Sequence, residues 1–230
     1  MTGSGWTRRE LLAGATAIGT TAGLAGCLGR SGGVADRTPP GGGPPNDAEV
    51  ASTYPLVSYE NVDGRAVPTM PMNVRVDLRE TDADAEAVRD VFRYDYRWSP
   101  VVRLVDPYWP FHESPTQFAW DADLGDFTAP LASYRYPFLL RLPGGEIGFH
   151  VYLWTVREQG TVVGIAGQAH KDVGRLHDHV GTDYHEATDA VADAFRRAGW
   201  RTESTEFAYG VDRSQLRRWG PTGDLLVRPG

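Results

Sequence analysis

The chain has 230 residues with one Cys, a net charge of −7 and a hydrophobic fraction of 41%. A lone Cys makes no internal disulfide, and an acidic chain without a basic run is not built for nucleic acid. Once its N-terminal segments are set aside, the rest is long enough for one domain with a core that needs no disulfides.

Residues 1–27 read as an address. Thr7-Arg8-Arg9-Glu10-Leu11-Leu12 resembles a twin-arginine export motif, and a mildly apolar stretch of signal-peptide length follows it. That stretch ends in Leu24-Ala25-Gly26-Cys27, which looks like a lipobox. The resemblance implies export, cleavage before Cys27 and a lipid thioether on its sulfur, so the membrane is a partner through a lipid anchor. Residues 28–53 are rich in Gly and Pro, including Thr38–Pro45, and read as a tether whose extended reach is at most about 80 Å at ~3.1 Å per residue. Residues 54–230 are the expected single domain.

Within it, Tyr54–Pro71 reads as irregular, with a turn at Asn61-Val62-Asp63-Gly64. Met72–Arg79 alternates as a half-exposed strand. Thr81 or Asp82 can cap a helix whose Ala85, Val88, Val91 and Phe92 share a face. Asp106–Pro130 reads as a long loop pinned by aromatic residues, of which Trp109, Phe111 and Trp120 are candidates to line a ligand groove. Its Asp121, Asp123 and Asp126 read as a solvated acidic cluster.

Tyr134–Leu142, Glu146–Arg157 and Thr161–Lys171 read as three hairpin-connected strands. The middle one is apolar on both alternations and should be covered on both faces. A three-residue turn, Glu158-Gln159-Gly160, would set His150 opposite Gln168 with His170 diagonal on the same face beside Tyr152. A two-residue turn would send His170 to the other face. The three-residue turn is the reading adopted, with His150 and Tyr152 as further ligand-binding candidates. A helix opening near Asp183 carries Ala187, Val191, Ala194, Phe195 and Ala198 on one face and stops at Gly199. Trp200–Tyr209 and Asp224–Val227 complete the strands. The expected fold is α+β: an antiparallel sheet of about five strands with two amphipathic helices packed on one face.

His170, Asp172, His177, His179 and His185 surround the end of the third strand and the start of the helix. Imidazole and carboxylate donors of this kind suit zinc or manganese, and a metal-bound water could attack an ester or phosphoester. The spacing matches no established zinc motif.

The section Phe149–Ala198 resembles the LssY C-terminal-type domain. The resemblance is carried by Phe149-His150-Val151-Tyr152-Leu153-Trp154, Gly164-Ile165-Ala166, Asp172-Val173-Gly174 and His177-Asp178-His179-Val180. The helix ending Arg196-Arg197-Ala198-Gly199-Trp200 and the upstream Pro71-Met72-Asn73-Val74 are also similar. Tyr152 stands where that family's pattern expects Arg, His185 near an expected Asp, and Ala187-Thr188 in place of Glu-Arg. The resemblance implies work at the envelope or on lipids. The composition, 22 Arg to a single Lys with an acidic surplus, is similar to that of proteins from salt-loving archaea. The functional expectation is a lipoprotein acting as a binding module at the cell envelope. The alternatives are a metal-dependent hydrolase of phosphates or esters near the membrane and a structural partner of a membrane complex.

Overall fold

The computed structural model describes residues 38–100, 117–136, 146–175, 178–182, 184–210 and 223–230. Its elements are α1 (Asp47–Val50), β1 (Val57–Val62), β2 (Arg65–Pro71), β3 (Val74–Asp77), α2 (Ala85–Tyr94), β4 (Ser99–Pro100), β5 (Phe118–Asp121), β6 (Asp126–Thr128), β7 (Ala132–Tyr136), β8 (Glu146–Glu158), β9 (Thr161–Arg175), β10 (Asp178–Thr182), α3 (Tyr184–Arg197), β11 (Arg201–Thr205) and β12 (Asp224–Arg228).

The β8–β9 hairpin is the spine of the larger sheet. That sheet has eight strands in the order β11-β12-β3-β9-β8-β7-β4, with β10 also on β9. β8 is apolar on both alternations because both of its faces are covered. Val151 and Leu153 join Ile165, Ala169, Val74, Val76, Leu225 and Val227 on one face, against Val88, Val91 and Phe92 of α2 and Ala187, Val191 and Phe195 of α3. Trp154 and Val156 turn the other way, Trp154 against Met72 and Ala119, Val156 against Tyr54.

That second face is covered by another sheet of four strands, β2-β1-β5-β6. The expected fold of one antiparallel sheet of about five strands is therefore overturned. Among the described residues there are two sheets, and β12 runs parallel to β3. The missing strands come from stretches read as irregular or as loop. β1 and β2 form a hairpin over Tyr54–Pro71, turned at Asp63-Gly64, where both residues have positive φ (53° and 82°). β5 and β6 lie inside Asp106–Pro130. The physical reason is the face that β1 and β2 present. Ser58, Glu60 and Thr69 are buried but polar, so the apolar alternation that announces a strand is broken.

Two joints shape the spine. The first is Asn73, fully buried at the entrance to β3. One edge of β9 is paired to β8 along nearly its whole length. The other edge is shared, with β3 on residues 164–167 and β10 on residues 171–175. Asn73 bridges the gap: its Nδ2 donates to the Ala169 carbonyl and its Oδ1 accepts from the Ala169 N–H, both at 2.8 Å. A side-chain amide thus replaces a ladder rung. The second joint is Gly164, where a Cβ would lie 2.1 Å from the Tyr54 hydroxyl and 2.6 Å from the Val76 carbonyl oxygen. Only glycine lets Tyr54 reach across to donate to that carbonyl at 3.1 Å.

The helices start and stop for local reasons. The cap of α2 is Asp84, a few residues later than Thr81 or Asp82, and its carboxylate accepts from the Ala87 N–H at 2.9 Å. After α3, Gly199 adopts φ 86°, the left-handed stop expected there. The acidic cluster at residues 121–126 is not merely solvated. Asp121 is buried and bonded to Arg157 at 2.8 Å, and Asp123 accepts from the Gln159 and Gly160 N–H groups at 2.7 and 2.8 Å. These bonds clamp the β5–β6 hairpin to the β8–β9 turn.

Candidate functional site

The β8–β9 register decides which histidines meet. The turn is Gln159-Gly160 alone, with Glu158 opposite Thr161 and positive φ at both turn residues (52° and 77°). The adopted three-residue turn is therefore incorrect. A two-residue turn by itself would send His170 to the other face. A register shift between Val156 and Arg157 adds one residue to β9 and reverses the parity. His150 consequently faces His170 directly, with ring centroids 5.3 Å apart. Tyr152 lies 4.2 Å from His150 and 6.3 Å from His170.

This cluster sits on the face turned to the smaller sheet. His150, Gln168 and His170 are fully buried, and Tyr152 is half-buried. His170 Nδ1 and Gln168 Oε1 are 2.8 Å apart. On the smaller sheet, the Ser58 and Thr69 hydroxyls are 2.9 Å apart, Thr69 donates to Gln117 at 2.8 Å, and Gln117 donates to the Glu60 carboxylate at 2.8 Å. The space between the sheets therefore combines an apolar block around Trp154 with polar side chains on both sheets. Hydrogen-bonded side chains in such a dry setting hold one geometry and can serve proton transfer or ligand recognition.

Of the metal-ligand candidates, His170 and His185 lie on different faces of the larger sheet. His170 is under the smaller sheet, whereas α3 covers the opposite face. His185 opens α3 with an exposed ring whose Nδ1 is 3.7 Å from Asp189. Asp172 takes its place in β9 opposite Gly148 and Gly181, and His179 pairs with Gly174, four residues beyond His170 along β9. His177 lies outside the described residues, as do Trp109, Phe111 and Cys27. Among the described residues, no three His, Cys, Asp or Glu side chains come together to hold a metal. Trp120 belongs to the core on the other face of the smaller sheet. It is 8% exposed, with Phe127 at 5.2 Å.

Sequence reasoning missed a groove of about 420 Å³ between the C-terminal ends of α2 and α3. Tyr94, Tyr96, Trp200 and Ala194 line it, with Asp95 and Arg197 among its polar groups. Tyr94 is 76% exposed and Tyr96 is 92% exposed. The Asp95 side chain is nearly buried, held by Arg97 Nε at 3.1 Å and by Arg197, whose Nε is also 3.1 Å away. The signal was the run Phe92–Trp98, where aromatic and arginine residues continue past the end of the apolar helical face. A smaller, more polar cavity of about 330 Å³ lies where α3 meets β11 and β12, lined by His185, Thr188, Arg196, Thr202 and Ser204.

Comparisons with family models, with curated proteins and with solved structures return no match to this chain.

Proposed function

We propose that this chain is an extracytoplasmic lipoprotein, anchored through Cys27, that works as a binding module at the cell envelope. The groove between α2 and α3 is its ligand site. The observation that carries the binding reading is the exposure of Tyr94 and Tyr96 beside an Asp95–Arg197 pair in a concave site of ligand size. Ligand sites are mostly apolar surfaces with a few fixed polar groups, and tyrosine supplies contact area at little conformational cost. The arginine-paired motif and lipobox of residues 7–27 support the location. The resemblance to the LssY C-terminal-type domain is part of the same proposal and is consistent with envelope work.

The test is an NMR titration in concentrated salt, with wild type and Tyr96→Ala side by side. Three probes are used: a neutral oligosaccharide, a monomeric lysophospholipid and an extended peptide. At least one is expected to shift the Trp200 indole signal, with about tenfold weaker affinity in Tyr96→Ala, a loss of roughly 1.4 kcal/mol. A peptide as the active probe selects the reading of a structural partner. No shift at Trp200 from any probe overturns the groove as the binding site.

A further inference from the structure

Residues 28–53 read in the sequence as a tether, yet the arm Thr38–Thr53 within them is docked on the domain. Asn61 Nδ2 donates to the Thr38 carbonyl at 3.1 Å, and the Gly41 N–H donates to the Gly64 carbonyl at 3.1 Å. A single helical turn follows, α1, capped by Asn46. Within the arm only Pro40 and Glu49 are buried, and Glu49 is completely so. Thus one ionisable side chain supplies the deepest contact of an otherwise exposed segment.

The surroundings of Glu49 are dry. Its Oε1 accepts from the Leu56 N–H at 2.8 Å, and the Tyr59 hydroxyl of β1 lies beside it. Arg75 of β3 supplies a positive charge that acts on it, and the Arg75 guanidinium is 4.0 Å from the Phe207 ring centre and 5.5 Å from that of Tyr54. Tyr54, Tyr209 and Asp224 act on Arg75 in turn. Asp224 is engaged elsewhere, accepting from the Tyr209 hydroxyl and from the Phe207 N–H. A carboxylate taken out of water without a close cation is costly, and the neutral acid is the form this site accommodates.

We propose that Glu49 is a proton-operated latch that docks the N-terminal arm when neutral and releases it when ionised. Burial pushes the Glu49 carboxyl from 4.5 up to about 7, against the lowering effects of the Leu56 N–H, Tyr59 and Arg75. The docked arm therefore holds a proton that the free arm gives up. Docking is strongest below pH 4.5, weakens as pH rises from there and levels off above 7. Arm opening increases about tenfold per pH unit across that window. The latch stands independently of Cys27. Its consequence for reach rests on the anchoring proposed above. With the arm docked, the ten residues before it allow a reach of at most about 30 Å from the anchor, and with the arm free the reach is at most about 80 Å, both at ~3.1 Å per extended residue.

The test is amide hydrogen exchange of Leu56 in the full chain at pH 5 and pH 8, corrected for intrinsic exchange. Wild type is expected to lose protection by tens of fold at the higher pH. Glu49→Gln, neutral at both, is expected to hold nearly the same protection throughout, while Glu49→Ala exchanges fast at both. Equal protection of wild type at the two pH values overturns the latch. So does a pH response in Glu49→Gln that matches wild type.

Discussion

Replacing Trp154 with alanine is expected to destabilise the protein by about 3–5 kcal/mol, the range for removing a buried Trp from a packed core. Trp154 is 1% exposed on the face of β8 that meets the smaller sheet. It packs against Met72 and Ala119, and its Nε1 donates to the Thr128 carbonyl at 3.2 Å. One side chain thus fills the space between the sheets and ties the end of β6 to β8. Around it the polar side chains of the smaller sheet offer little apolar surface with which to collapse into the void. Trp154→Phe keeps part of the filling but strands the carbonyl, and about 1–3 kcal/mol of loss is expected from the missing hydrogen bond. Denaturant midpoints at unchanged slope read both effects. An alanine variant within about 0.5 kcal/mol of wild type would contradict the packing described here.

The second large effect is expected at Asn73. Asn73→Leu keeps a side chain of similar volume but removes both hydrogen bonds to Ala169, leaving a buried N–H and carbonyl in mid-sheet without the partner that completes the rung. Each unsatisfied buried group costs about 1–3 kcal/mol, so a loss of roughly 3 kcal/mol is expected. The same substitution is predicted to raise amide exchange at Ala169 and along residues 171–175, because the pairing with β10 on that edge starts at Lys171, two residues beyond the Ala169 that Asn73 bonds. If Ala169 kept its protection in Asn73→Leu, the bridging role would be wrong. Asn73→Asp separates the two bonds. Its carboxylate still accepts from the Ala169 N–H but, ionised, cannot donate to the carbonyl.

The parts legible in the sequence were those where one physical signal dominated. β8 announced itself because both faces are covered, and α2 and α3 because Val88, Val91 and Phe92, and Ala187, Val191 and Phe195, recur at helical spacing. The turn at Asp63-Gly64 was visible too. Its flanking strands were not, because Ser58, Glu60 and Thr69 place hydrogen-bonding groups where an apolar face would be expected. The proximity of His150 and His170 was anticipated with the wrong turn, since a two-residue turn and a one-residue bulge together restore the face. Gly164 is the local mark of that bulge, since glycine inside a strand often accompanies a bulge or a close approach, and here it admits the Tyr54 hydroxyl from far along the chain.

The candidate sites divide in the same way. The histidine set looked compact along the chain because His170, His177, His179 and His185 are close in number. β9 and α3 lie on different layers, so His170 faces the smaller sheet while His185 opens a helix on the opposite face. The groove formed by Tyr94, Tyr96 and Trp200 joins two helix ends separated by about half of the domain. Only the packing of α2 beside α3 reveals it. Glu49 was hidden inside a Gly/Pro-rich run whose composition reads as tether.

The most direct test of the anchored-module account is the intact mass of the protein recovered from the membrane fraction, with wild type and Cys27→Ser compared. The account predicts that wild type has lost residues 1–26 and carries a lipid on Cys27, whereas Cys27→Ser carries none and is not released at that position. A wild-type protein that retains residues 1–26 with an unmodified Cys27 would contradict it.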